Sequence, residues 1–179
     1  MSPMPRVWYF AYGSNMQAAT LRSRRGVAWA QALPARVANW RFVCDKPPLV
    51  PMMGESFANL VREGGAEVFG VLFELEAGDL AHVELTEGVL IGNYRRIEVV
   101  AEPLDGTTPV TAATLVTDLR DPGLAPSERY RALLIEGARE HGLPAEWIAF
   151  LERLPARPET PEAARLRPVL DAALATKAR

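Results

Sequence analysis

Apolar residues change their spacing along this chain near Asp121-Pro122-Gly123. Before that point they gather in short runs bounded by Gly, Pro and Asp, as strands do; after it they recur three and four apart, as on one face of a helix. Val7 to Tyr12 reads as a buried first strand ended by Gly13. Ser14 or Asn15 is placed to cap a helix begun by Met16, Ala19 and Thr20 and closed at Arg24-Arg25-Gly26. Val27 to Leu33 and Arg36 to Cys44 read as two strands interrupted at Pro34. Phe57 to Val61 reads as a short strand before a Gly64-Gly65 hairpin turn, and Val68 to Leu75, almost continuously apolar, as a strand buried on both faces. Leu80, Val83 and Leu85 suggest a short helix, and Tyr94 to Val100 and Val110 to Thr117 two more strands joined through Pro103, Asp105 and Gly106.

In the second regime Ser127 caps a helix from Glu128 to Glu140 that ends near Gly142, with Tyr130, Leu133, Leu134 and Ala138 as its apolar stripe. Pro144 starts another short helix through Trp147, Ile148 and Leu151. Pro155, Pro158 and Pro161 make a stiff joint, and Glu162 to Ala175 is again helical, with Leu166, Leu170 and Leu174 turned to the body or to a partner. Short turns join most of the strands, which disfavours a doubly wound parallel sheet and predicts a mixed α/β fold. The expectation is a single domain over 1–179, with 155–179 a C-terminal helical extension.

Composition narrows the class. The 179 residues are 49% hydrophobic, enough for one sizeable core. Twenty basic against 22 acidic residues, with no long basic run, offer no footprint for nucleic acid. The one dense basic cluster, Arg22-Ser23-Arg24-Arg25, reads as a solvated helix end that can also steer an anion. No apolar run reaches membrane-spanning length, and Met1 to Arg6 lacks the apolar core of a leader peptide. Cys44 is the only cysteine, and is expected to be a packed thiol rather than a nucleophile; His82 and His141 are too few for a metal site. A cytoplasmic protein is expected, with no membrane partner. Closed two-fold assemblies are common, so a homodimer is the expected assembly.

Two segments carry candidate chemistry. A strand that stops in Gly13-Ser14-Asn15 lets a ligand approach main-chain N–H groups closely, which favours a carboxylate or an oxyanion. Taken alone, this is also an ordinary helix cap. The spaced glycines and lysine of a phosphate loop are missing. Glu84 and Glu87 lie three apart, and each taken alone reads as a surface glutamate.

Tyr9-Phe10-Ala11-Tyr12-Gly13-Ser14-Asn15-Met16, together with Glu87-Gly88-Val89, Gly92 and Tyr94, resembles the motifs of the gamma-glutamylcyclotransferase (AIG2-like) family, with Met16 where leucine is common. Ser127-Glu128-Arg129-Tyr130 is similar to that family's late tyrosine segment. Gly137 to Pro144 extends the likeness toward its glutathione-pathway members. The resemblance covers residues 7 to 154; Pro47 to Met53 is where the chain is most individual, and 155–179 contributes little.

The resemblance implies a small, partly closed β-barrel with flanking helices, acting on a small-molecule gamma-glutamyl substrate. It implies Glu87 as the catalytic acid/base. Tyr12, Gly13, Ser14, Asn15, Met16, Tyr94 and Tyr130 are implied as substrate-binding residues. The substrate amine would attack its own gamma-carbonyl, closing 5-oxoproline and releasing an amine or amino acid. Such chemistry needs no metal, cofactor or covalent enzyme intermediate. A proton-transferring glutamate of this kind works best with its affinity for the proton raised by partial burial. A non-catalytic protein that binds small carboxylates on the same scaffold is the alternative.

Overall fold

The computed structural model describes residues 4–176, apart from the side chain of Met52. Met1 to Pro3 and the last three residues of the expected extension lie outside the described residues.

Five strands form a closed barrel: β1 (Arg6–Ala11), β2 (Ala32–Lys46), β3 (Phe57–Glu76), β4 (Arg95–Pro103) and β5 (Val110–Val116). Their order around it is β1-β3-β2-β4-β5. All neighbours pair antiparallel except β1 and β5, which close the barrel in parallel at Tyr9 and Ala113. β1 and β5 therefore run toward the same end, and the candidate site lies there. Val68, Val71, Leu72, Phe73 and Leu75 are all fully buried, because both faces of this part of β3 are covered.

Three sequence expectations fail here, each for a local reason. Pro34 does not divide a strand; β2 runs through it. Its main chain faces the end of β4, where its carbonyl accepts from Leu104 N at 2.9 Å, so the absent N–H removes no ladder bond. The strand expected from Val27 instead begins at Ala32. Gly64-Gly65 is not a hairpin turn but a wide bulge inside unbroken β3. Between the pairs Ala38–Glu67 and Trp40–Arg62, β3 advances five residues and β2 two. Asn39 (φ 65°) and Gly65 (φ 81°) take up the mismatch, and Gly65 N donates to Asn39 Oδ1 at 3.2 Å. The chain reverses between β2 and β3 at residues 47–56.

The first helix is the third departure. Ser14–Met16 forms a 3₁₀ turn, and Thr20–Arg24 a short π-helix. Neither Ser14 nor Asn15 caps a helix through its side chain.

The remaining helices are α1 (Ala77–Thr86), α2 (Glu128–Glu140), α3 (Ala145–Glu152) and α4 (Pro161–Ala175). Ser127 Oγ caps α2, accepting from Tyr130 N at 3.0 Å, and Thr160 Oγ1 caps α4, accepting from Ala163 N at 3.1 Å. α2 packs on α3 and on the Ser14–Met16 turn.

The contact between α2 and that turn depends on Gly137. A Cβ there would lie 2.7 Å from Gln17 N and 2.8 Å from Met16 Cβ. Gly137→Ala is therefore expected to lower the calorimetric unfolding midpoint, at a cost of about 1–3 kcal/mol. An unchanged midpoint would mean that the turn and helix separate without strain.

Candidate active site

β1 delivers Tyr12 to Asn15 to the open end of the barrel. Lys46 closes β2, Phe57 and Ala58 open β3, and Asn93 and Tyr94 precede β4. These residues, with Glu87 and Tyr130, line a cavity of about 230 Å³.

Glu87 sits at the C-terminal end of α1, its N–H still bonded to Val83 O at 2.9 Å. The chain must turn sharply after it, and Gly88 does so at φ 75°. Asn93 Nδ2 donates to Glu87 O at 2.8 Å, fixing the turn from the other side. Two donors converge on one carboxylate oxygen, Oε1: Arg25 Nη2 at 2.6 Å and Asn15 Nδ2 at 3.1 Å. Oε2 has no hydrogen-bond donor among the described residues. Asn15 Nδ2 also donates to the Tyr9 hydroxyl at 3.1 Å, while Asn15 Oδ1 is buried without a partner.

Every tyrosine of the chain, Tyr9, Tyr12, Tyr94 and Tyr130, lines the cavity. The Tyr12 hydroxyl donates to Leu115 O, and that of Tyr94 to Ala58 O at 2.9 Å. The Tyr130 hydroxyl accepts from Ala58 N at 3.2 Å. Burial raises all four phenols above their ordinary range, and the charge of Glu87 adds to the effect. They form a neutral wall, with Tyr12, Tyr94 and Tyr130 anchored to main chain and Tyr9 to the Asn15 side chain.

Lys46 is buried. Its ammonium donates to Asn93 Oδ1 and lies over the rings of Tyr94 (5.1 Å) and Phe57 (5.9 Å). Burial lowers its pKa to about 8, partly offset by Glu87. Of the cations lining the cavity, Arg25 is paired with Glu87, and Arg24 with Asp171 at 2.5 Å. Lys46 has no carboxylate partner among the described residues.

The structure thus brings Tyr12, Gly13, Ser14, Asn15, Glu87, Tyr94 and Tyr130 to one cavity. Met16 is a correction: it is fully buried and does not line the cavity, because the 3₁₀ turn directs it under α2 against Gly137. Arg25 is a second correction. It is only 5% exposed rather than part of a solvated helix end, since the π-helix turns it inward. Arg22 stays outside, 4.5 Å over the Trp29 ring. Lys46 and Asn93 were not foreseen; a lysine ending an apolar strand beside a proline-rich loop is the signal that could have found the former. Glu84 faces away and pairs with Arg96 at 3.2 Å. Cys44 lies outside the cavity lining, its thiol pushed up to about 12 by burial.

Comparison with known proteins agrees with this architecture. Residues 67–151 match the AIG2-like family. The chain is 29% identical over 148 residues to gamma-glutamylcyclotransferase of Homo sapiens, covering 82% of this chain and 77% of that protein. It is 28% identical over 141 residues to gamma-glutamylcyclotransferase of Bos taurus, covering 78% and 73%. A solved gamma-glutamyl cyclotransferase shares the fold with a TM-score of 0.78 at 23% identity, over 94% of this chain and 99% of that one. An uncharacterized protein from Homo sapiens does so at 0.77 and 24%, over 92% and 98%. The fold is that of the solved gamma-glutamyl cyclotransferase. Residues 67–151 thus resemble the AIG2-like family, and most of the chain is similar to gamma-glutamylcyclotransferases.

Lys46 makes stability depend on pH with a defined sign. Its value of about 8 in the folded protein lies below the ordinary 10.5. Below pH 8 both folded and unfolded chains carry the proton, and the cost of burying the charge is present in full. Between pH 8 and 10.5 the unfolded chain binds more protons, so the folded state gains on it as pH rises, by about 3 kcal/mol in total. Lys46→Met lacks this contribution. Urea unfolding at pH 7 and pH 10 is expected to show wild type gaining on the variant with pH; a constant difference would contradict the burial of the ammonium.

Proposed function

We propose that this chain catalyses intramolecular acyl transfer on a gamma-glutamyl compound, forming 5-oxoproline and releasing the amine or amino acid. One observation carries this reading: Glu87 is held through Oε1 by Asn15 and Arg25, leaving Oε2 undonated beside a cavity that also holds an ammonium with no carboxylate partner among the described residues.

In this scheme Lys46 pairs with the substrate alpha-carboxylate. Asn15 Oδ1, otherwise unpartnered, accepts from the substrate ammonium, and Glu87 takes a proton from it. The freed amine attacks the gamma-carbonyl carbon; its pi electrons move to oxygen, and a tetrahedral oxyanion forms. Met16 N and Gln17 N close the 3₁₀ turn and Ser14 N–H is turned to the Tyr130 hydroxyl, so the amides offered to the oxyanion are those of Gly13 and Asn15. The intermediate collapses, the bond to the departing nitrogen breaks with its electron pair leaving on that nitrogen, and Glu87 returns the proton there. The attacking nitrogen sheds a second proton, and the released amine ends as ammonium, so no proton is gained or lost overall. The nucleophile belongs to the substrate. The protein's contribution is to hold the glutamyl chain folded, and the four anchored tyrosines make a rigid surface for that.

Glu87→Gln keeps an acceptor for Arg25 and removes proton exchange. It is expected to remain folded and to lower kcat by about 10²–10⁴-fold when 5-oxoproline is measured over a panel of L-gamma-glutamyl compounds. Glu84→Gln is expected to leave kcat close to wild type, because Glu84 lies outside the cavity lining and pairs with Arg96. Comparable turnover in folded Glu87→Gln would remove Glu87 from the chemistry. Tight binding of a small carboxylate by wild type, with no 5-oxoproline from any panel member, would favour the binding-protein alternative.

A further inference from the structure

The cavity has a second wall, and it differs in chemistry from the first. The polar residues gather around Glu87 and Lys46. Across the mouth stand Pro48, Leu49, Val50 and Met53 from the loop after β2, and Leu170 and Leu174 from α4. Leu49 is 57% exposed although it borders the cavity. An aliphatic side chain held at a cavity mouth in contact with water gains from a ligand that covers it.

α4 is fixed across this mouth at three points. At its start Thr160 Oγ1 donates to Met53 O at 3.4 Å. In its middle Asp171 pairs with Arg24 at 2.5 Å. Near its end Leu174 O lies 3.1 Å from His82 Nε2, on the same helix that carries Glu87. The apolar stripe of α4 is thereby set against the site. Asp171 engages Arg24, which lines the cavity beside the paired Arg25, and Lys46 pairs with Asn93. The wall offers carbon to a ligand and no unpaired charge.

We propose that the part of the substrate released by the enzyme carries a bulky apolar group, seated against Leu49, Leu170 and Leu174, and that these three residues determine specificity. The inference rests on the gamma-glutamyl reading of the polar half. It names the substrate class as gamma-glutamyl conjugates of branched aliphatic or aromatic amino acids, in preference to conjugates with small or charged side chains.

The test compares kcat/KM for gamma-L-glutamyl-L-leucine, gamma-L-glutamylglycine and gamma-L-glutamyl-L-glutamate, all carrying the same terminal carboxylate. The leucine conjugate is expected to be favoured at least about tenfold over the other two. Leu49→Ser is on an exposed loop and does not threaten folding; with Leu170→Ser it is expected to bring the leucine-to-glycine ratio close to one, and unfolding midpoints report whether each variant is intact. Binding of the leucine and glycine conjugates to Glu87→Gln, measured by calorimetry, reads the wall without turnover. Turnover of all three with no preference for leucine, or a ratio unmoved in Leu49→Ser, overturns the inference and leaves the cyclisation reading in place. Preferential binding of the leucine conjugate with no 5-oxoproline from any compound supports the apolar wall and overturns the proposed chemistry. Neither turnover nor preferential binding overturns both.

Discussion

The contact between Arg25 and Glu87, 2.6 Å long, joins parts of the chain 62 residues apart and sets the position of everything around it. Arg25 is brought inward by the π-helix after β1, and Glu87 is carried by the end of α1 after β3. Asn15 adds a third point from the turn between β1 and the π-helix. Such a pair is a poor source of net stability, because both charges lose water, yet removing one partner leaves the other buried and uncompensated. Its value lies in geometry. With Oε1 taken by two donors, the carboxylate cannot rotate freely, and Oε2 is left to the cavity.

Barrel closure positions other parts of the same cavity. The parallel pairing of β1 with β5 brings the end of β1 beside Leu115, whose carbonyl fixes Tyr12. Ala58 at the start of β3 serves two tyrosines, accepting from Tyr94 and donating to Tyr130. Strand ends supply main-chain groups outside the regular ladder, and here those groups are used to fix aromatic side chains instead of being left to water. The charged groups Glu87 and Lys46 line the same cavity as these neutral phenols.

Much of this was legible in the sequence where a local rule decides. Val68 to Leu75 announced a strand covered on both faces, and Ser127 with the stripe from Tyr130 to Ala138 gave α2 its cap and bounds. Legibility was lost where a distant partner decides. Gly64-Gly65 carries a turn signal, but twelve paired positions between β2 and β3 hold the strand together and turn the glycines into a bulge. Arg25 sits in a basic cluster that ordinarily faces water; only the position of Glu87 makes an inward turn favourable. Leu166, Leu170 and Leu174 announced an apolar face without saying what it meets, and the ion pair of Asp171 with Arg24 supplies the answer for Leu170 and Leu174. Met16 fails for the converse reason: its neighbours in sequence reach the cavity, and a single 3₁₀ turn directs it into the core.

The direct measurement is a crystal structure of the Glu87→Gln protein soaked with gamma-L-glutamyl-L-leucine. The expected density has the substrate alpha-nitrogen at about 2.6–3.2 Å from the side chain of residue 87, the alpha-carboxylate on Lys46 and the leucyl group against α4. A glutamyl group bound in the reverse direction, with its amine away from residue 87, would contradict the assignment of Glu87 as the group that moves the proton.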